Sequence, residues 1–293
     1  MVKITAQMVK ELRDITGAGM MDCKKALQHT EGDIEKAVDY LRERGVAQAA
    51  KKASRIAAEG LADYRINGNE AIVFELNSET DFVARNKEFL DLLKLVGDTI
   101  IASDVANTEE ALALDLDGKT LERVLIDATS KIGEKISLRR VQRFTKADDE
   151  AFAAYAHAGG RIVALVVLAK EDEEVGKDIA MHIAANAPRY LTRAAVDQDV
   201  LEHEKEVLTN QALQEGKPAN IVEKMVIGRL NKFLQDIVLV DQAFVKDPEI
   251  KVSKYLKDNK NEVLAFVRLE VGEGVEKREE DFAAEVAQIT KGN

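Results

Sequence analysis

Cysteine is nearly missing from this chain: Cys23 is the only one in 293 residues. Intramolecular disulfides are therefore impossible, and no thiolate cluster exists for a zinc or iron-sulfur site. A reducing compartment fits that usage, and a cytoplasmic protein is expected. Long apolar runs are missing too. No stretch approaches the roughly 20 residues needed to span a bilayer, and Met1-Val2-Lys3-Ile4 leads straight into an amphipathic pattern rather than a targeting leader. Positive charge is in deficit. A formal net charge of −11 argues against a general nucleic-acid binder, because neutralising phosphates is what drives such binding. Catalytic signatures are equally scarce. The four histidines, His29, His157, His182 and His203, include no pair at i, i+4 and no HExxH context, so metal binding is not expected. A GxSxG nucleophile motif is also absent. No enzyme signature emerges, and no cofactor, metal or small-molecule substrate of its own is called for.

What is present is a composition of 46% apolar and 32% charged residues, which fits a globular protein with two or three compact units. The charge is uneven. The first 55 residues carry 11 Lys and Arg against 8 Asp and Glu, a net of +3, which leaves −14 on the remaining 238; a basic module could face an acidic partner surface. Those residues read as three short helices. Thr5 caps one carrying Met8, Leu12 and Ile15, Gly17-Ala18-Gly19 separates it from a second over about Met20 to His29, and Ile34, Ala37, Val38 and Leu41 give a third one apolar face. Gly45 is a plausible stop, followed by a partly helical linker. Three helices of this size resemble the ubiquitin-associated fold.

The period then changes from helical to alternating. Leu61 to Ile66 and Ala71 to Leu76, joined through Asn67-Gly68, predict a β-hairpin. A polar loop over Asn77 to Arg85 precedes a helix with the stripe Phe89, Leu92, Leu93, Val96 and Ile100, then a helix from about Thr120 to Ile132 and a strand over Lys135 to Phe144. The same order recurs: strand candidates around Gly159-Gly160, a helix over Val175 to Ala187 and a closing strand over Glu262 to Val271. Each copy alone would leave a sheet face bare, so two copies packing together is a physical reason for duplication. Between the second helix and its closing strand, Val200 to Gln214 and Ile221 to Ile237 predict an antiparallel helical hairpin turned by Gly216-Lys217-Pro218. Its second arm carries Val222, Met225, Val226, Leu230, Phe233, Leu234 and Ile237. The expected class is α+β: a three-helix module over 1–55, a duplicated core with antiparallel sheets over 56–145 and over 146–187 with 238–278, the inserted hairpin over 188–237, and a C-terminal helix within 279–293, around Phe282 to Ile289.

Two near-motifs fail on their chemistry. Gly118-Lys119-Thr120 ends like a phosphate-binding loop, but Ala113 stands where the leading glycine is needed. Asp115-Leu116-Asp117-Gly118 hints at a calcium loop, yet Ala113 and Val124 occupy its first and last ligand positions. Both read as one solvated turn.

Two blocks, Thr16-Gly17-Ala18-Gly19-Met20-Met21-Asp22-Cys23-Lys24-Lys25-Ala26-Leu27 and Thr80-Asp81-Phe82-Val83-Ala84, resemble the signatures of the elongation factor Ts family. Lys131-Ile132-Gly133-Glu134, Ile179-Ala180-Met181-His182, Gly216-Lys217-Pro218 and Val271-Gly272-Glu273-Gly274 are also similar to family segments, and the inserted hairpin matches the family's longer form. Arg85 stands where the pattern has Lys, and His157-Ala158-Gly159-Gly160 is one residue longer than the usual turn. The resemblance implies a non-enzymatic exchange factor that binds elongation factor Tu in its GDP form, with Asp81 and Phe82 entering the partner near its magnesium site. It implies further contacts at Thr80, Val83, Lys24, Ile132, Gly133, His157, Phe244 and Val245, and no direct contact with nucleic acid or membrane. Read from the residues alone, Phe82 tucks under its own loop, Ile132 and Phe244 are core, His157 is a turn residue and Lys24 a solvated charge. Two other readings stand beside it. An RNA-binding module would use Lys24, Lys25, Lys51, Lys52 and Arg55, against the net acidity and without an aromatic stacking array. A ubiquitin-associated-type adaptor would merely display the N-terminal helices.

Overall fold

In a computed structural model that describes residues 2, 4–216 and 218–275, the fold is α+β. It divides into two compact units: one of the residues up to Leu61, Phe74–Gln142 and those from Val271, the other of Ala62–Val73 and Arg143–Glu270. The expected C-terminal helix lies outside the described residues.

The chain opens with α1 (Ala6–Thr16), α2 (Met20–His29) and α3 (Ile34–Lys52). Thr5 and Asp33 cap α1 and α3 by accepting from the backbone N–H groups of Met8 and Lys36, satisfying donors a helix start leaves open. The three share a core of Val9, Leu12, Cys23, Ala26, Leu27 and Ala37. Two expectations change here. Val9, not Ile15, completes the inward stripe, and Ile15 is exposed. Gly45 does not stop α3, which runs on to Lys52. A Cβ at Gly45 would lie 3.2 Å from the Ser130 hydroxyl, so the glycine allows a close approach of α3 to a later helix rather than a turn.

Strands β1 (Glu59–Asn67) and β2 (Glu70–Ser78) form the expected hairpin, turning through Gly68 at φ +60°, the sign a two-residue hairpin turn needs at its first position. The expected polar loop after it is shorter than the sequence suggested. Strand β2 continues to Ser78, and Thr80 then caps a single turn, α4 (Asp81–Ala84). Next come α5 (Lys87–Ile101), α6 (Thr108–Leu112), the short hairpin β3 (Asp115–Leu116) and β4 (Lys119–Thr120), α7 (Leu121–Ile132) and β5 (Ser137–Thr145). Phe89, Leu92, Leu93, Val96 and Ile100 of α5 are all buried, as their spacing predicts.

The second half repeats the order with β6 (Ala151–His157), β7 (Ile162–Leu168), α8 (Glu173–Asn186), α9 (Gln198–Gln214), α10 (Ala219–Ile237), β8 (Ala243–Phe244), β9 (Asp247–Lys251), α11 (Val252–Asp258) and β10 (Val263–Glu270). The first sheet has strand order β1-β2-β5 and the second β10-β7-β6. In each, the second strand of a hairpin is central, flanked by its hairpin partner and by a late strand. In the second sheet both pairings are antiparallel, with Tyr155 opposite Ala164 and Phe266 opposite Val166. Helix α8 packs on β6 and β7, burying Val175, Ile179 and Ile183 against Ala164, Val166 and Leu168. Helices α9 and α10 form the helical hairpin through Leu208, Ala212, Val222 and Val226.

Candidate functional site

Phe82 is the most solvent-exposed large apolar side chain among the described residues, at 82%. It does not tuck under its own loop. A Phe left in water forgoes about 1.5–3 kcal/mol of burial.

The Thr80 hydroxyl accepts from the Val83 N–H, which starts α4. The same hydroxyl donates to Glu134 Oε1 at 2.7 Å, and the Thr80 N–H donates to Glu134 Oε2 at 3.0 Å. Ser78 Oγ donates to the Thr80 carbonyl, and Ala84 is buried. One face of the turn is therefore fixed while Phe82, on the other, is free of its own domain. Asp81 pairs with Arg85 at 3.0 Å; both are substantially exposed, so the bond orients Asp81 more than it stabilises the fold.

Glu134 comes from the loop that ends α7. Gly133 closes that helix at φ +93°, donating to the Thr129 carbonyl, a left-handed cap that glycine adopts without strain. Gly133 is exposed and Ile132 half-buried. The neighbouring residues tie down two other segments: Gly133 O accepts from Lys52 Nζ, Lys135 N–H donates to Glu79 Oε1, and Lys135 Nζ donates to the Ala53 and Arg55 carbonyls. Residues 133–135 thus join the end of the three-helix module to the Asp81-Phe82 turn. Lys24 is exposed on α2 of that module.

A second framework holds the same unit. Glu75 is fully buried yet charged: burial raises its pKa, but the Gly272 N–H, the Asn77 amide and the Arg140 guanidinium together outweigh that and bring it below the usual carboxylate range. Arg139 adds a bond at 3.0 Å. Sequence reasoning gave Glu75 no role, although one acid in a strand otherwise buried, with adjacent arginines on a later strand, is the signal of a paired buried charge.

In the other unit, His157 is exposed at the end of β6, its Nδ1 3.3 Å from the Tyr155 hydroxyl. The turn after it, Ala158-Gly159-Gly160, has positive φ throughout. Phe244 and Val245 part company. Phe244 is 3% exposed, stacked on Tyr255 at 4.1 Å between ring centroids, so its ring is a core group; Val245 is 37% exposed and alone presents a side chain outward.

The rejected motifs behave as turns. The Gly118 N–H donates to Asp115 Oδ1, Lys119 pairs with Asp127, and Thr120 caps α7, so the amide a phosphate would need already has a carboxylate. Among the described residues no group of three or more His, Cys, Asp or Glu could hold a metal ion, and no helix is long and apolar enough to cross a membrane. Of the five cations an RNA site would use, Lys52 is bonded to Gly133 and Arg55 to Glu79. A cavity of about 230 Å³ lies beside α3 and α7, reached by Leu41, Lys119 and Lys131; neither Phe82 nor Lys24 lines it.

Residues 79–273 match the family described as "Elongation factor TS". Elongation factor Ts of Acholeplasma laidlawii (strain PG-8A) is 57% identical over 294 aligned residues, covering 98% of this chain and 99% of that protein. The chain belongs to the elongation factor Ts family. Membership makes it a factor of the elongation step of protein biosynthesis. The family match starts at Glu79 and ends at Glu273, so it takes in the Asp81-Phe82 turn, the loop at residues 133–135 and Gly272, while Glu75 lies just before it. Among the described residues, the most exposed aromatic sits in the Thr80-Asp81-Phe82-Val83 block, and a carboxylate, Glu134, holds the block's first residue.

Proposed function

We propose that this protein is the nucleotide exchange factor for elongation factor Tu, that it binds the GDP form in the cytoplasm, and that it releases GDP by pushing Asp81 and Phe82 against the elements that hold magnesium and phosphate. The observation that carries this reading is Phe82: 82% exposed, at the head of a turn whose first residue is bonded twice to Glu134. A side chain that enters a partner as a wedge must be free of its own core and must not give way when pushed.

Magnesium bridges nucleotide phosphates with few protein ligands. Shifting those ligands leaves phosphate charge poorly neutralised, and GDP leaves. No covalent bond is made or broken, and the factor needs no cofactor of its own. Exchange in these terms is negative coupling between two binding sites, so GDP weakens this protein's hold on the partner by the same factor that this protein weakens GDP.

One wedge does not supply the whole effect. Weakening the nucleotide a thousandfold takes about 4 kcal/mol, against about 1.5–3 from burying one Phe. Thr80 and Val83 frame the wedge, Lys24 on the basic N-terminal module adds charge, Ile132 and Gly133 add the neighbouring loop, and His157 and Val245 add contacts from the second unit. Phe244 contributes by supporting Val245 from below.

The test is release of a fluorescent GDP from elongation factor Tu with this protein at catalytic amounts. Acceleration with many partner molecules turned over per factor is expected; an unchanged release rate would overturn the reading.

A further inference from the structure

Val245 follows a buried residue on a two-residue strand, and something other than sheet pairing must fix its place. Three bonds to α8 and its surroundings do so. The Val245 N–H donates to His182 Nδ1 at 3.1 Å. Lys246 Nζ pairs with Asp178 Oδ1, and Tyr255, stacked on Phe244, donates its hydroxyl to Asp178 Oδ2 at 3.0 Å. Asp178 and His182 are one helical turn apart on the same face of α8, so consecutive rungs of one helix grip residues 245 and 246.

The tautomer follows from the bonding. Because Nδ1 accepts, the proton sits on Nε2, which donates to Gln242 Oε1 at 2.9 Å. Gln242 in turn donates to the Asn186 and Asp236 carbonyls. His182 is fully buried, and the resemblance to a family segment at Ile179-Ala180-Met181-His182 gave it no task.

We infer that His182 is a positioning residue for nucleotide exchange: its neutral ring, as acceptor for the Val245 N–H, sets where Val245 meets the partner. The inference rests on the exchange reading, through Val245. It also makes this contact sensitive to acid, because an imidazolium has no lone pair left for that N–H. Burial lowers the His182 pKa below its ordinary value, with the Gln242 bond opposing, so the ring stays neutral at pH 7 and the grip is lost only on the acid side. Several charged and titratable groups on the elements around it are engaged with partners of their own. Asp178 holds Lys246 and Tyr255, Asp241 holds Arg193 and Lys251, Arg268 holds Glu270, and Tyr155 meets His157.

The experiment compares wild type, His182→Leu and His182→Asn in the fluorescent-GDP release assay between pH 5.5 and 8, with exchange at the Val245 amide of the free proteins followed by NMR. Asn places an acceptor oxygen near the Nδ1 position and does not titrate. His182→Leu should lose about tenfold in exchange efficiency at pH 7.5, the equivalent of one hydrogen bond, and lose protection of the Val245 amide; His182→Asn should restore most of both. The ratio of wild type to His182→Asn should hold down to the ordinary imidazole value, about 6.5, and fall only at more acid pH, a comparison in which the partner's own titration cancels. A wild type that accelerates release, with His182→Leu equal to it and a pH-independent ratio, overturns the positioning role while leaving exchange intact. No acceleration by wild type overturns both.

Discussion

Lys52 and Gly133, 81 positions apart, are joined by a 2.6 Å bond from the Lys52 ammonium to the Gly133 carbonyl. The next residue along, Glu134, holds Thr80 by two bonds. The end of the N-terminal module and the turn that presents Phe82 are thus fastened to consecutive residues of one loop. A partner that engages the module and the turn together meets two surfaces already set with respect to that loop, which reduces the ordering cost of binding.

Glu134→Ala should loosen the turn without unfolding the protein. It removes two bonds to a half-buried residue, a loss of about 1–2 kcal/mol. Exchange efficiency is expected to drop roughly tenfold, with Phe82 unchanged in exposure. Titrating partner binding by calorimetry alongside thermal denaturation checks this: a full loss of stability with no separate loss in the folded protein's affinity would assign Glu134 to the core alone.

Glu75→Ala should be far more damaging to stability. It leaves Arg139 and Arg140 facing a gap in a buried site and strips the Gly272 N–H of its acceptor; losing one partner of a buried ion pair costs about 3–5 kcal/mol. The charge also predicts a pH dependence. The folded pKa of Glu75 lies below its ordinary value, so its contribution is complete above the ordinary carboxylate range, about 4.3, and is lost as the pH falls through the folded value. Urea midpoints measured from pH 3 to 7 should decline on the acid side in wild type, with a shallower decline in Glu75→Gln.

Two glycines with similar backbone angles should respond differently to alanine. At Gly272, φ is +76° and a Cβ would sit 2.2 Å from the Ala58 carbonyl oxygen; at Gly68, φ is +60° with nothing within 4 Å. Gly68→Ala should cost about 1 kcal/mol, the price of a left-handed residue. Gly272→Ala adds a backbone clash and should cost at least about 2 kcal/mol. Equal denaturation midpoints for the two variants would contradict the geometry.

Much of this architecture was legible in the sequence because periodicity reports burial directly. The α5 stripe and the helical hairpin's apolar arm occupy the faces their spacing implies; the β1-β2 hairpin forms where expected, but β2 is buried on both faces rather than in alternation. What failed was punctuation. Gly45 reads as a stop, yet in α3 it serves a close helix approach, a requirement that only tertiary packing creates. The Asn77 to Arg85 segment reads as loop because its residues are polar, but β2 buries Asn77 and Ser78, and Thr80 starts a helical turn too short to show a period. The site was legible only in part. Residues alone assigned Phe82 to the interior; its exposure is visible once Glu134 and Ala84 are seen to fix the opposite face of the turn. The bond from Val245 to His182 spans 63 residues of sequence and leaves no local trace.

The central claim is that Phe82 acts on the partner and not on its own fold. Release of fluorescent GDP from elongation factor Tu, measured with catalytic amounts of wild type and of Phe82→Ala whose thermal midpoints are determined in parallel, tests it most directly. Strong acceleration by wild type is expected, with a loss of roughly tenfold or more in the variant, in line with about 1.5–3 kcal/mol for one buried Phe, and near-identical midpoints. Full activity in Phe82→Ala, or a large fall in its thermal stability, would contradict it.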